Sequence, residues 1–323
     1  MRILITGALG FLGINLVRFF ASQPNVHVVA TDTATINDAA HGFLKPVAKH
    51  LEHAFLDICD RAAVHTLLVE KNITHIVHAA ALTVEETLAN ASRVVAVNLG
   101  GSISLLDAIL ENNTVERTIV ISSSGVYGSP VHRTPKLQRE ADPLNLTTLY
   151  AITKHCSELL LARYSILCGR TILAVRLPAV YGPMEYAKLS RPSTTVFQHL
   201  MTALHDKRKV SVTGRAIVRD WTYSVDIAEG IWKLLRTPRL SHSVYNISCG
   251  EGTSFFQVVQ AFAALGLQIS WVDGNTIADI SMYPHQERTP LDITRLSDET
   301  GFRPRFNLQS AITDWLKYNP LST

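Results

Sequence analysis

The residues best suited to chemistry in this 323-residue chain are a tyrosine and a lysine four positions apart. Residues 150–154 read YAITK, and the apolar periodicity around them predicts a helix, which would bring Tyr150 and Lys154 onto one face. A tyrosine with an ordinary pKa near ~10 is a poor base at neutral pH, but a neighbouring ammonium favours its phenolate. The pair therefore predicts proton transfer to or from a hydroxyl group.

A run of serines lies about one strand-helix unit upstream of this pair. Residues 119–128 read IVISSSGVYG, an apolar strand that ends in three hydroxyl-bearing side chains. A serine at the carboxyl end of a strand can hydrogen-bond the substrate hydroxyl whose proton Tyr150 removes. The sequence thus predicts a hydroxyl group beside the tyrosine and the lysine.

A glycine-rich turn comes near the start of the chain. Residues 6–13 read TGALGFLG, which places Gly7, Gly10 and Gly13 between the first predicted strand and the first predicted helix. Residues without a Cβ let backbone amides and a helix N-terminus approach a pyrophosphate closely. Asp32 ends the second predicted strand, where a carboxylate can accept both ribose hydroxyls of an adenosine and repel the extra phosphate of NADP. These residues predict a dinucleotide site that prefers NAD.

Short β-branched runs alternate with longer helical patterns through the first half of the chain. The predicted strands are residues 2–6, 26–31, 51–56, 75–78, 118–122 and 171–176, and the predicted helices are residues 11–22, 61–70, 91–112 and 149–167. Apolar strands that alternate with helices are typical of a parallel sheet covered on both faces. With right-handed crossovers, this pattern predicts a Rossmann-type, doubly wound α/β fold.

The pattern becomes less regular after Pro183. We predict an NAD-binding Rossmann domain at residues 1–182, to which residues 216–249 return. Residues 183–215 and 250–323 are predicted to form a smaller, discontinuous substrate-binding lobe. Because ligands bind at the carboxyl edge of an open α/β sheet, this lobe would close over that edge.

Composition argues against several other classes of protein. The formal net charge of +3 is too small to indicate nucleic-acid binding. The four cysteines and thirteen histidines are scattered without metal-ligand spacing, so we predict reduced thiols and no metal. No apolar run approaches the ~18 residues that span a bilayer, and the N-terminus shows no signal sequence. We therefore predict a cytoplasmic protein without a membrane partner.

Jointly, these motifs resemble those of the extended short-chain dehydrogenases, the NAD-dependent epimerase/dehydratase family, over nearly the whole chain. The resemblance rests on the glycine turn, Asp32, Asp57, HAAA at 78–81, Asn98 in VNLGG, SSSGVYG at 122–128, YAITK, RLPAVYGP at 176–183 and RDWTYSVDIAEGI at 219–231. It implies NAD as the cofactor and a sugar or nucleotide sugar as the substrate.

The resemblance also implies roles for individual residues. Tyr150 would be the general acid/base, Lys154 would hold the nicotinamide ribose, and Ser123 would bind the substrate hydroxyl, with Ser124 as the alternative. His78 would line the cofactor path together with the three alanines that follow it. Leu177 and Pro178 would border the nicotinamide. The residues implied to contact NAD, besides Tyr150 and Lys154, are Gly7, Gly10, Phe11, Leu12, Gly13, Asp32, Asp57, Ile58, Ala79, Ala80, Ala81 and Leu177.

The substrate side of the site is less well defined by the resemblance. Arg219 matches a family arginine that meets a substrate pyrophosphate, and Arg288 is a second candidate, although each also fits a structural salt bridge. Ala179 stands where nucleotide-sugar members usually have an Asn that helps to hold the phosphates. Asn98 is expected to support the fold, and Asp57 fits a turn or a helix cap as well as a contact with adenine.

The resemblance implies that a hydride leaves a carbinol carbon for NAD while Tyr150 takes the hydroxyl proton. Nucleotide-sugar 4-epimerisation, as in UDP-glucose 4-epimerase-like enzymes, is the leading expectation. A plain NAD-dependent dehydrogenase or reductase of a smaller sugar or sugar acid is the first alternative, and Ala179 favours it. A catalytically silent NAD-binding regulator is the second alternative.

Elimination of water is not expected from this chain. Sugar 4,6-dehydratases of the family carry Asp-Glu directly after the catalytic Thr, whereas Ser124 and Gly125 stand here. Glu140 and Asp142 lie in a polar stretch and are expected to be solvated, so they would not replace that acid and base.

A homodimer is also predicted. The helices at residues 91–112 and 149–167 carry broad apolar surface, and in similar enzymes this pair of helices forms a four-helix contact between subunits. The same apolar residues could instead belong to the core.

Overall fold

The structure is a computed structural model that describes residues 1–129, 137–186, 194–273 and 276–318. Within these residues the strands are β1 (Arg2–Thr6), β2 (His27–Asp32), β3 (Leu51–Phe55), β4 (His75–His78), β5 (Arg117–Ser123), β6 (Thr171–Leu177), β7 (Ala179–Tyr181), β8 (Val210–Thr213), β9 (Val218–Arg219), β10 (Trp221–Tyr223), β11 (Val244–Asn246), β12 (Thr253–Ser254), β13 (Ile269–Trp271) and β14 (Ile280–Ser281). The α-helices are α1 (Phe11–Ala21), α2 (Asp38–Leu44), α3 (Arg61–Glu70), α4 (Val84–Ala89), α5 (Ala91–Val95), α6 (Gly101–Glu111), α7 (Leu149–Cys168), α8 (Val196–His205), α9 (Ser224–Arg236), α10 (Phe255–Ala263), α11 (Thr294–Thr300) and α12 (Leu308–Leu316). Shorter 3₁₀ segments lie at Lys45–His50, Ser124–Tyr127 and Pro284–Gln286, and a π-helical segment lies at Ala96–Gly100.

One seven-stranded sheet draws its strands from residues 2–246. Its strand order is β11-β6-β5-β4-β1-β2-β3, and every neighbouring pair is parallel. After β3 the chain crosses to the other side of β1, where β4 pairs with it, and this change of direction opens a crevice at the carboxyl ends of β1 and β4. The predicted Rossmann-type α/β fold is confirmed.

Alternating side chains of the strands build two layers of core. Ile3 and Ile5 of β1 pack with α1 and α9 on one face, whereas Leu4 packs with α3 and α6 on the other. Both sets are fully buried. This alternation follows from the two-residue period of a strand. Because both faces of the sheet are covered, Ile3, Leu4 and Ile5 are all apolar.

A second core lies under the helices α8, α10 and α12, which pack with the small sheet β13-β8-β14. The elements α9 and β11 belong to the first core, and β11 pairs with β6. Leu296 and Phe302, from the segment predicted to belong to the lobe, also pack in the first core. The domain division at residues 183, 216 and 250 stays a prediction.

The helical run Ala91–Glu111 corrects one expectation. It is long and apolar enough, by length and composition alone, to cross a membrane, with a mean hydropathy of 1.5. The expectation that no apolar run approaches that length was therefore wrong. The run packs against α3 and α7, and its Leu105, Leu106 and Ile109 are buried beside the main sheet. Its apolar character is accounted for in part by this packing.

Candidate active site

A cavity of about 520 Å³ opens at the carboxyl ends of β1, β4, β5 and β6. The predicted site residues that line it are Gly7, Gly10, Phe11, Leu12, Gly13, Ala79, Ala81, Ser123, Tyr150, Lys154, Leu177 and Arg219. The predicted residues that are not part of its lining are Asp32, Asp57, Ile58, Ala80, Ser124 and Arg288. The crevice of the sheet thus brings together the glycine turn, the serine and the tyrosine–lysine pair.

Further residues line the cavity, and they are Thr83, Val84, Ile121, Ser122, Pro178, Ala179, Val180, Tyr186, Thr194, Thr195, Val196, Trp221, Met282 and Gln286. Some of them lie in motifs that the sequence analysis quoted: Ile121 and Ser122 precede Ser123 on β5, Pro178 was expected to border the nicotinamide, and Ala179, Val180 and Trp221 belong to the last two motifs. The others reach the cavity by tertiary folding, which no local spacing reports.

The glycine turn is held so tightly that side chains would not fit. Gly7 has a φ of +64°, and a Cβ there would lie 2.6 Å from the Cα of Ala80. A Cβ on Gly13 would lie 2.0 Å from the carbonyl oxygen of Gly7. The backbone N–H of Gly10 donates to the same oxygen at 3.0 Å. The turn leaves an open cradle at the N-terminus of α1, of the kind that receives a pyrophosphate.

Asp32 lies at the end of β2 and holds the same turn. Its carboxylate accepts the backbone N–H of Leu9 at 2.9 Å and that of Ala34 at 3.0 Å. Asp57, by contrast, is exposed and accepts the N–H of Cys59 at 2.9 Å, which is the turn geometry left open as an alternative. The two carboxylates therefore differ, because Asp32 is built into the nucleotide turn and Asp57 caps its own loop.

Removing the negative charge of Asp32 tests the expected preference for NAD over NADP. We expect the wild type to bind NAD about tenfold more tightly than NADP, because a 2′-phosphate would face the carboxylate. Asp32→Asn keeps an acceptor for the Leu9 N–H but loses the charge, so it should narrow this preference, as should Asp32→Ala. Titration of both dinucleotides checks this, and a wild type that binds NADP more tightly than NAD would contradict it.

The structure corrects the expectation that His78, at the end of β4, lines the cofactor path. This residue is buried behind the cavity, where Nδ1 lies 2.7 Å from the Thr6 hydroxyl and Nε2 lies 3.3 Å from the Ser102 hydroxyl. Burial, and the charge of Lys154, lower the pKa of His78 to about 3. Ala80 turns towards Gly7, and its N–H donates to Thr6 at 3.3 Å. Among residues 78–81, only Ala79 and Ala81 line the cavity.

The tyrosine–lysine pair sits in the first two turns of α7. The Thr148 side chain caps this helix by accepting the N–H of Ala151 at 3.1 Å. Lys154 Nζ lies 5.7 Å from the centre of the Tyr150 ring and donates to the Ile121 carbonyl at 2.8 Å. Burial lowers the pKa of Lys154 to about 8, while the carboxylate of Glu158 opposes the shift. At pH 7 the ammonium form therefore predominates beside the phenol.

The π-helical segment carries a residue that fixes α7 against the cavity wall. Asn98 is buried, its Oδ1 accepts the N–H of Leu82 at 2.8 Å, and its Nδ2 donates to the carbonyl of Leu82 at 3.0 Å. Nδ2 also lies 3.3 Å from the hydroxyl of Thr153, which donates to the carbonyl of Tyr150 at 2.8 Å. Asn98 thus supports the fold, as the sequence predicted, and it does so at the functional helix.

A buried ion pair beneath the site was missed in the sequence. Arg176 meets Glu158 through two bonds, at 2.9 Å and 2.7 Å, and Ser122 donates to the same carboxylate at 2.6 Å. Burial alone would raise the pKa of Glu158, but the hydrogen bonds and charge of Arg176 hold that pKa below its usual range. Glu158 follows Lys154 by one helical turn, and that i,i+4 spacing was the available signal.

The same network corrects the interpretation of Glu140. Its side chain is only 6% exposed, and it accepts the backbone N–H of Asn246 at 2.9 Å. Arg176 donates to the carbonyl of Glu140 at 3.1 Å and to the Tyr127 hydroxyl at 2.8 Å. Glu140 is therefore a buried structural residue and is not solvated, and it does not line the cavity.

Arg219 lines the cavity, and Arg288 lies near Arg219 without being part of the lining. Burial, and then the charge of Arg288, lower the pKa of Arg219 to about 10. Arg219 Nε is buried and has no hydrogen-bond partner among the described residues. Arg288 donates to the carbonyls of His285 and Glu287 and to the Ser129 hydroxyl. Within the described part of the chain, neither arginine has an ion pair with a carboxylate, so the salt-bridge alternative finds no support there.

A Rossmann-type sheet with a tyrosine–lysine pair at its carboxyl edge defines an enzyme that works with a dinucleotide. The sequence model of the NAD-dependent epimerase/dehydratase family matches residues 3–248, and the chain belongs to this family. NAD is its cofactor, and the open cradle at Gly7 and Gly13 fits that molecule. The resemblance on which the expected site residues rest is therefore confirmed.

Several proteins that are similar to this chain are enzymes named for nucleotide-sugar substrates. A dTDP-glucose 4,6-dehydratase of Streptomyces griseus is 28% identical over 318 residues, which cover 96% of this chain and 92% of that relative. The structure of a dTDP-glucose 4,6-dehydratase from Streptomyces venezuelae, with NAD bound, has a TM-score of 0.78 and 25% identity and covers 98% and 96% of the two chains. A UDP-glucose 4-epimerase from Thermus thermophilus, in complex with NAD, shares the fold with a TM-score of 0.79, 24% identity and full coverage of both chains.

Proposed function

We propose that this enzyme inverts a hydroxyl-bearing carbon of a nucleotide sugar, at C4, without eliminating water. One observation carries the proposal. The cavity brings Ser123, Tyr150 and Lys154 together, and none of its described lining residues has a carboxylate. Removal of water from the sugar needs a further acid and base beside the substrate, and Ser124 and Gly125 cannot supply them.

The described side chains support a simple division of labour. Tyr150 would take the proton of the substrate hydroxyl, because the ammonium of Lys154 stabilises the phenolate. Ser123 Oγ accepts the N–H of Gly125 at 3.0 Å, so its own hydrogen can be donated to the substrate oxygen. When bound, NAD takes up a hydride from the carbon and can return it. Leu177 and Val180 would exclude water from the reacting carbon.

The arginines support a diphosphate on the substrate. Arg219 lines the cavity with a buried, unsatisfied Nε, and Arg288 lies close to it. Two neighbouring guanidinium groups suit a diphosphate, which offers several anionic oxygens for bidentate contact. The relatives named as nucleotide-sugar dehydratases support the same substrate class, although their elimination step has no counterpart among the described lining residues.

A dehydrogenase that acts on a smaller sugar or sugar acid is the second candidate. Ala179 favours it, because this side chain lines the cavity where a phosphate-binding Asn would be expected. A carboxylate on the substrate could meet the same arginines. This candidate differs in its outcome, because NAD would undergo net reduction.

Incubation with UDP- and dTDP-hexoses, followed by NMR of the sugar and by absorbance at the NADH band, tests the proposal. We expect an inverted sugar without net reduction of NAD. Stoichiometric NADH would support the dehydrogenase instead, and a 4-keto-6-deoxy sugar would contradict the interpretation of Ser124 and Gly125. The cytoplasmic location stays a prediction from the sequence.

A homodimer through α7 and the run Ala91–Glu111 is part of the proposal. Ile152, Leu159 and Ile166 are seven residues apart on α7 and are 41%, 60% and 74% exposed, which supports an apolar stripe along the outer face. We expect a dimer by light scattering at micromolar concentration and a monomer for Leu159→Glu. Ile277→Glu, at a 99% exposed position outside the stripe, is the matched control and should stay dimeric. A monomeric wild type would contradict the prediction.

A further inference from the structure

Asp220, the residue after Arg219, is fully enclosed and yet well bonded. It is 2% exposed, and burial raises the pKa of its carboxyl group against the hydrogen bonds that it receives. One oxygen accepts the backbone N–H of Leu291 at 3.0 Å, and the other accepts the hydroxyl of Thr222 at 2.9 Å. A buried carboxylate with both oxygens occupied is a structural tie between the segments that supply its partners.

These partners connect segments that are far apart in the sequence. The Thr222 hydroxyl also accepts the backbone N–H of Cys249 at 2.9 Å. The backbone carbonyl of Asp220 accepts the N–H of Ala179 at 3.2 Å. Through one residue, the structure therefore joins the end of β6–β7, the β9–β10 segment, the loop after β11 and the segment before α11.

The same tie holds both arginines. Successive side chains along an extended segment point in opposite directions, so Arg219 faces the cavity while Asp220 is buried behind it. The backbone N–H of Arg288 donates to the carbonyl of Val218 at 3.1 Å. Residues 288–291 are thus attached to residues 218–220 at two points, one through Val218 and the other through the Asp220 carboxylate.

The negative charge of Asp220, like its hydrogen bonds, helps to hold Arg219 and Arg288 close together. Two guanidinium groups near each other repel, and the charge of Arg288 disfavours the charged form of Arg219. The Asp220 carboxylate favours the charged form of Arg219 from behind, where a ligand cannot reach it. It therefore offsets the repulsion without competing for the anion in the cavity.

We infer that Asp220 is a positioning residue, which sets Arg219 and Arg288 at the spacing needed to bind the diphosphate of the substrate. This inference rests on the proposed function, since it needs an anionic substrate. It adds a residue that does not line the cavity and whose effect reaches the substrate only through the two arginines. A purely structural carboxylate would contribute to stability alone.

The test is a comparison of Asp220→Asn with Asp226→Asn in the full chain. Asp226 is also buried, at 1% exposure, and accepts two backbone N–H groups, those of Arg305 and Phe306. It does not line the cavity, so it is a matched control for the loss of a buried charge. The readouts are the melting temperature, the NAD affinity, the affinities for UDP and dTDP by calorimetry, and KM and kcat on the hexose that is turned over.

For Asp220→Asn we expect the affinity for UDP or dTDP to fall, and KM to rise, by about tenfold, with kcat and NAD affinity within about twofold of wild type. Asp226→Asn should lower the melting temperature about as much as Asp220→Asn does, but it should leave KM unchanged. Equal effects of the two variants on KM, or an unchanged KM in folded Asp220→Asn, would overturn the inference.

Two further outcomes are also decisive. If Asp220→Asn does not fold, Thr222→Val removes one partner of the carboxylate and keeps its charge, and a KM equal to that of wild type would then overturn the inference. If the wild type binds neither UDP nor dTDP, the proposed function fails first, and the inference fails with it because no diphosphate remains to be positioned. Retained binding by the wild type with unchanged binding by Asp220→Asn contradicts the inference alone.

Discussion

Tyr150→Phe should lower the turnover by about 10²–10⁴-fold, the range that a general acid/base usually contributes. The variant loses only the hydroxyl that exchanges a proton with the substrate. The ring remains, so the contact with Lys154 Nζ at 5.7 Å and the start of α7 at the Thr148 cap should persist. NAD affinity should therefore stay within about twofold of wild type, which separates chemistry from binding.

The matched control is Tyr164→Phe on the same helix. The Tyr164 hydroxyl donates to Asp107 at 2.5 Å, on the side of α7 that faces α6, and Tyr164 does not line the cavity. The same chemical change there should leave the turnover near that of wild type. Single-turnover rates of both variants decide the matter, and a Tyr150→Phe rate close to wild type would show that another group moves the proton.

Gly13→Ala should weaken NAD binding by about 100-fold or more. The added Cβ would lie 2.0 Å from the carbonyl oxygen of Gly7 and 2.9 Å from the Cα of Ala8. Both are backbone atoms of the turn, so the turn itself has to move, and the cradle at the N-terminus of α1 moves with it. A loss of about 100-fold corresponds to about 2.7 kcal/mol of binding free energy.

Gly42→Ala provides the control for this substitution. Gly42 lies in α2, and a Cβ there would meet nothing within 4 Å. The change should leave NAD binding unchanged and raise the stability by up to about 1 kcal/mol, because alanine favours a helix over glycine. NAD titration and thermal unfolding of both variants give the comparison. Folded Gly13→Ala with NAD affinity within twofold of wild type would contradict the account of the turn.

Local patterns predicted the parts of the site that are themselves local. The glycine turn and the tyrosine–lysine pair each lie within one turn or one helix, so their spacing predicts their geometry. Most strands of the main sheet were predictable for the same reason, since β1, β2, β5 and β6 are each built around a short apolar run. Arg2–Thr6 and His75–His78 have the predicted bounds, and the other predicted strands of this sheet differ only at their ends.

The parts that escaped prediction depend on contacts between distant residues. Glu158 meets Arg176 across 18 positions, and Asp220 meets Leu291 across 71. A charged residue in a sequence is most simply interpreted as exposed, and only the fold shows that its partners surround it. Glu140 was misinterpreted for this reason, because its partner Asn246 lies at the end of β11, 106 positions away.

The most direct test of the central claim is the mass of the product formed in heavy water. An enzyme that inverts a carbon by removing and returning the same hydrogen predicts a product with the mass of the substrate and no deuterium bound to carbon. Elimination would give a product lighter by one water molecule, with solvent deuterium on carbon. Mass spectrometry of the nucleotide sugar after full turnover, together with NMR of the sugar carbons, distinguishes these results. We predict a sugar inverted at C4 with the unchanged mass and no deuterium on carbon, and the lighter, deuterated product would contradict the account.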